Sequence, residues 1–258
     1  MFAGFNLTIT DDSFCDLKQY MHGKTMFVEQ RDSVQASLKR ITFDKEGFID
    51  ATEIEKDWFP EIKADIFISH SHKDEQLAIK LAGWLNDRFN LKCFIDSTVW
   101  RSAEDLLNTL DKEYSISSQS NPEKTIYSYN KRNKTTAHVH ILLTMALQKM
   151  IDKTECLFFL NTSNSIITSE PNSTLKTDSP WIYSELLFSS MVRHKELGLY
   201  RKDFHRFGLR PGIEMRYDAT TDHLYELNEK ELQLMNDLSG NIMPHLALDY
   251  LYMKKAII

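Results

Sequence analysis

Three short apolar runs constrain the fold of this chain more than any other feature. They are ADIFISHS from Ala64, LKCFID from Leu91 and ECLFFLN from Glu155. Each ends abruptly in polar residues, as fully buried strands do. Between and around them lie segments with helical spacing. KDEQLAIKLAGWLNDRF sets Leu77, Leu81, Trp84 and Leu85 on one face. SAEDLLNTLDKEY reads as a helix with Ser102 as its cap, and TTAHVHILLTMALQKMID as a long helix. Strands alternating with helices imply crossover connections and a mostly parallel sheet. Such sheets bind ligands beyond the C-terminal ends of their strands. That rule draws Ser69, His70, Ser71, Asp96, Trp100, Trp181 and Glu185 toward one rim.

The two ends read differently. FNLTI, from Phe5, is a candidate short strand, followed by one or two helices up to about Leu38 or Ile41. After the boundary DWFPEIK the alternating pattern begins. GIEMRY, from Gly212, is a possible further strand, and the tail from Glu229 reads as helical with a Gly-containing break. Residues 114–134 and 162–180 are polar and read as loops, the first as an insertion. The expected organisation is an N-terminal α/β extension over residues 1–61, a central domain over 62–220 and a C-terminal helical extension over 221–258.

Composition excludes several classes. Against 31 Lys and Arg stand 37 Asp and Glu, a net charge of −6. Dedicated nucleic-acid binders usually carry a basic surplus, so no nucleic-acid partner is expected. No apolar run approaches the roughly 20 residues needed to span a bilayer, so no membrane partner is expected. The start, MFAGFNLTITDDSF, lacks the basic and apolar segments of a secretion signal. Cys15, Cys93 and Cys156 are too few and odd in number for a disulfide framework, which fits a reducing cytoplasm. Cys93 and Cys156 fall inside strand-like runs and read as small buried hydrophobes.

No CxxC, HExxH, GxGxxG or Walker A pattern occurs, and neither a metal nor a bound cofactor is expected. TFDKEGFIDATE imitates a calcium loop, but Thr42 stands where the leading carboxylate belongs. His138 and His140 lie two apart, on different helical faces. SYNKRNK reads as a solvated basic patch in a polar loop.

The stretch DSPWIYSELLFSS, from Asp178, reads as a helix start. Pro180 suits the first helical position, with Ser179 or Asp178 as cap. From Trp181 to Val192 the one charged residue is Glu185, four positions after Trp181 and on the same face. Taken alone, this helix favours a Glu185 that points to solvent or pairs with a distant Lys or Arg.

DIFISHSHKDEQLAIKLAGWL, LKCFID, LFFLNTSNS and SPWIYSEL together resemble a Toll/interleukin-1 receptor (TIR) domain over roughly residues 62–220. The resemblance implies a flavodoxin-like α/β TIR domain with a mostly parallel sheet, flanked here by N-terminal and C-terminal extensions. WIYSE has the W-x-x-x-E spacing of TIR enzymes that cleave NAD, which implies Glu185 as the catalytic residue and Trp181 as the nicotinamide-side wall. NAD is then a substrate and not a cofactor. Similarity to Thoeris-like anti-phage TIR enzymes implies an ADP-ribose-type signal read by a separate effector protein. It also implies self-association through TIR surfaces, with Trp100 in DSTVWRS as an exposed anchor. The chain departs from animal TIR loops at STVWRSAED and in the 114–134 insertion.

The chemistry of NAD suits a lone carboxylate. Nicotinamide leaves as a neutral molecule from a cationic ring and needs no general acid, whereas glycosidases use two carboxylates about 5–9 Å apart to protonate an oxygen leaving group. Trp181 can hold the pyridinium by cation–π attraction worth ~0.5–2 kcal/mol. Ser69, His70, Ser71 and Lys73 lead into a helix N-terminus, a natural anion site. Ser71 reads equally as a cap, and Asp74 reads as a cap. Asp96 can likewise cap the next turn, and Trp100 can stack on a base, face a partner or cover the core. Two other classes fit the pattern: a non-catalytic TIR scaffold, and an N-glycosidic enzyme of the nucleoside deoxyribosyltransferase kind.

Overall fold

The computed structural model describes residues 1–10, 17–37, 49–100, 103–119, 125–167, 175–196, 223–235 and 244–256. Its strands, in chain order, are β1 (Ala3–Thr8), β2 (Ile66–Ser69), β3 (Cys93–Phe94), β4 (Ile116–Gln119), β5 (Thr125–Tyr127), β6 (Cys156–Leu160) and β7 (Tyr225–Asn228). The helices are α1 (Leu17–Ser37), α2 (Ala51–Trp58), α3 (Glu75–Phe89), α4 (Asp96–Val99), α5 (Ala103–Leu110), α6 (Tyr129–Lys153), α7 (Pro180–Met191), α8 (Glu229–Leu234) and α9 (Pro244–Lys254). The chain divides into two compact units. The first is Met1–Met26, Ile62–Ile95 and Met150–Ile258; the second is Phe27–Glu61 and Asp96–Lys149.

The first unit holds a five-stranded sheet in the order β3-β2-β6-β1-β7. All four pairings are parallel. The α/β expectation and its parallel sheet therefore hold. Every residue of β2 and β6 is buried, which is why those strands read as unbroken apolar runs and not as alternating ones. Phe5 packs edge-on against Phe158, with ring centroids 5.3 Å apart, and stacks on Tyr252 of α9 at 6.0 Å. Cys93 and Cys156 are free and fully buried, and burial pushes both thiols well above their ordinary range. They are small core residues and not nucleophiles.

The expected terminal extensions need correction. β1 lies inside the sheet, paired with β6 from Ala3↔Cys156 to Leu7↔Leu160, and β7 pairs with its other edge. The sheet thus takes strands from both ends of the chain. A five-residue apolar run shows only that a strand forms; its place in the sheet follows from which edge hydrogen bonds it can complete. GIEMRY lies outside the described residues, as does Cys15.

Within the first unit, the part of α1 up to Met26 meets α3 at glycines. A Cβ on Gly83 would lie 2.1 Å from the carbonyl oxygen of Gln19 and 2.9 Å from the nitrogen of Gly23. His22 Nε2 and Asn86 Oδ1 hydrogen-bond at 2.8 Å beside this crossing. Asn90 ends α3 in the left-handed conformation, φ 54°, a common helix stop.

The second unit corrects three expectations. The described residues of the polar insertion 114–134 are mostly strand and helix and not loop. β4 and β5 pair antiparallel, and α6 begins at Tyr129. SYNKRNK therefore lies largely on helix and not in a loop. The first turns of α6 are polar all round, so they lack the apolar spacing that marks a helix in sequence; the buried stripe starts only at Val139 and continues through Leu143, Ala146 and Leu147. Arg132 spans this region: its Nε donates to Asp111 at 2.8 Å and its guanidinium lies over the Tyr127 ring.

The calcium-like frame also resolves in part. Asp50 caps α2, accepting from the backbone nitrogens of Thr52 and Glu53, while 42–48 lie outside the described residues.

Trp100 is the third correction. It is 4% exposed, not the exposed loop residue expected from DSTVWRS. Its ring packs edge-on against Phe59, and its indole nitrogen donates to the Pro60 carbonyl at 3.0 Å. It is a core residue of its unit, and the interface role drawn from its exposure falls. Trp100→Phe should keep the Phe59 contact but lose the hydrogen bond and some volume. We expect about 1–3 kcal/mol of destabilisation in urea unfolding. An unchanged midpoint would show that this packing adds nothing.

Candidate functional site

Helix α7 is built as the sequence predicts. Ser179 accepts a hydrogen bond from the Ile182 nitrogen at 3.2 Å, and Pro180 occupies the first turn. Ile182, Glu185, Leu186 and Ser189 form its buried stripe at 3-and-4 spacing. Glu185 sits in the middle of that stripe and is 4% exposed. The solvent-facing reading of Glu185 is therefore wrong. A buried carboxylate costs several kcal/mol unless it is hydrogen-bonded, so the position needs donors.

One donor is Ser69, 116 residues earlier in the chain. Its Oγ donates to Glu185 Oε2 at 2.6 Å, and Ser69 itself is 1% exposed. Ser69 is the last residue of β2, so the carboxylate lies at the C-terminal end of that strand. There the strand order changes direction: β2 has β3 on one side and β6 on the other, and the chain visits them in turn. This is the switch point at which open parallel sheets leave a crevice. His70 follows at 8% exposure, with Nδ1 3.4 Å from the Ile68 carbonyl. Trp181 is half-buried on the turn before Glu185. Ser71 caps the short turn His72–Asp74 by accepting from the Lys73 nitrogen.

Ser69, His70, Ser71, Trp181 and Glu185 all belong to the first unit. Asp96 and Trp100 belong to the second, where Asp96 starts the four-residue α4 and its carbonyl accepts from the Trp100 nitrogen. An open cleft in that unit, between α2 and the Lys149 end of α6, contains none of the candidate residues.

Asp74 behaves differently from the capping residue expected of it. It makes no side-chain cap for α3. Its two oxygens accept from Thr162 Oγ1 at 2.6 Å and from Asn164 Nδ2 at 2.7 Å, in the loop after β6. Thr162 and Asn164 were not singled out by sequence. The signal available was NTSNS directly after a strand, the composition of a hydrogen-bonded turn.

Ser189 Oγ donates to the Leu186 carbonyl at 2.8 Å and shares a hydrogen bond of 2.8 Å with His223 Nε2. Among the described residues, no cluster of three His, Cys, Asp or Glu side chains is placed to hold a metal ion, and no helix is long and apolar enough to cross a membrane. No family model, curated protein or solved structure matches this chain.

Proposed function

We propose that the chain cleaves the nicotinamide–ribose bond of NAD, with Glu185 as the catalytic carboxylate, on a flavodoxin-like TIR sheet whose fourth place is filled by β1. The observation that carries this reading is a carboxylate buried at the C-terminal end of β2, 2.6 Å from a serine hydroxyl. As the C–N bond breaks, positive charge develops on the ribose. A fixed, desolvated carboxylate stabilises that charge more than water does. The Ser69 hydroxyl marks a donor position beside Glu185, and a ribose hydroxyl bound there would take or share it. Trp181, one turn earlier, supplies the aromatic wall for the pyridinium. In this reading His70 and Ser71 meet the phosphates.

The burial of Glu185 also favours a second reading. In it the Ser69–Glu185 bond is a structural tie in a domain that scaffolds without catalysis. Incubating the purified protein with NAD separates the two: the proposal expects nicotinamide release above the uncatalysed rate. Release of base from deoxynucleosides with none from NAD would instead place the chain among deoxyribosyltransferase-like enzymes.

A further inference from the structure

We infer that Asp74 is a positioning residue that sets the start of α7, and so the placement of Glu185, through the loop after β6. This inference rests on the proposed role of Glu185. It comes from a closed circuit of chain segments and hydrogen bonds in the first unit. Ser69 ends β2, and Asp74 stands five residues later at the head of α3. Asp74 holds Thr162 and Asn164 in the loop after β6. That loop runs to Ile167, whose backbone exchanges two hydrogen bonds with Lys176. Three residues on, Ser179 caps α7, with its own nitrogen bonded to Thr177 Oγ1. α7 returns to the start, because Glu185 accepts from Ser69.

The donor inventory explains why position 74 carries a carboxylate. The Thr162 hydroxyl oxygen already accepts from the backbone nitrogens of Asn164 at 3.1 Å and Ser165 at 3.2 Å. Its one remaining capacity is its proton, for which Asp74 at 2.6 Å is a closer acceptor than Ser165 Oγ at 3.3 Å. Asn164 offers an amide that can present either end. Asp74 is buried, so the bonds it makes are not exchanged cheaply for water. Its backbone nitrogen donates to the Ser71 carbonyl at 2.8 Å, a bond that side-chain substitution leaves in place, while its carboxylate bonds to Thr162 and Asn164. Its effect passes through the loop it anchors, and small misplacements of a reacting group cost large factors in rate.

The test compares Asp74→Ala with Asp74→Asn in the full chain. Asparagine keeps an acceptor toward Thr162 and can donate to a turned Asn164 amide, so it should restore most of what alanine removes. Hydrogen exchange of the unliganded protein is the first readout. Asp74→Ala should speed exchange at the amides of Asn164, Ser165 and Ile182 by about tenfold or more, with β2 and β6 still protected. Steady-state kinetics with NAD is the second. The kcat should fall by about 10–100-fold with KM changed by less than about threefold, since position and not binding is lost.

Unchanged exchange at Ile182 overturns the inference. So does a KM effect at constant kcat, an even loss of protection across the sheet, or an asparagine variant no better than alanine. If the wild-type protein releases no nicotinamide, the reading of Glu185 fails, and exchange at Ile182 alone decides whether Asp74 orders α7. Should Asp74→Ala not fold, Asn164→Ala carries the same test, because it removes an exposed side chain and one of the two bonds.

Discussion

Glu185→Gln is expected to lower nicotinamide release from NAD by about a thousandfold, roughly 4 kcal/mol of transition-state stabilisation. The substitution is close to isosteric. Its amide oxygen can still accept from the Ser69 hydroxyl, so the bond now made at 2.6 Å has a replacement. Helix propensity is nearly unchanged. What disappears is the negative charge beside the developing oxocarbenium. Stability should therefore move by less than about 1 kcal/mol while turnover collapses. Measuring both on one preparation makes the result decisive. Near-normal turnover by the glutamine variant, with an unchanged unfolding midpoint, would remove Glu185 from the chemistry.

Gly83→Ala should destabilise the first unit by about 3 kcal/mol. Helix propensity alone predicts the opposite sign, a gain of up to about 1 kcal/mol for replacing a mid-helix glycine. The packing at the crossing reverses it. The added methyl would meet the Gln19 carbonyl oxygen at 2.1 Å and the Gly23 nitrogen at 2.9 Å. Both are backbone atoms of α1 and cannot rotate away, so the helices must separate and lose contact along their length. Urea unfolding followed by circular dichroism reads the change. A midpoint at or above that of the parent protein would mean that α1 does not approach α3 this closely.

The apolar runs at Ile66, Cys93 and Cys156, the helix cap at Ser179 and the 3-and-4 spacing of α3 are all local. Each depends on residues within a few positions, and each was legible. The polar segment 114–134 was not. No described side chain of β4 or β5 is buried and the first turns of α6 are largely exposed, so burial leaves little periodic trace there. Of the readings open for Trp100, the core one holds and the exposed anchor falls, for the converse reason. A tryptophan among Ser, Thr and Arg has the composition of a surface loop, yet Phe59 and the Pro60 carbonyl, some 40 residues away, enclose it.

By itself the sequence determined the class of fold and the existence of the strand ends where Ser69 and α7 lie. Buried strands and capped helices write their period into neighbouring residues. Tertiary structure alone decided that β1 enters the sheet between β6 and β7, that Asp74 braces the loop after β6, and that Glu185 turns inward onto Ser69. Those outcomes join groups up to 220 positions apart, and what selects them is the satisfaction of buried donors and acceptors, which no local pattern records.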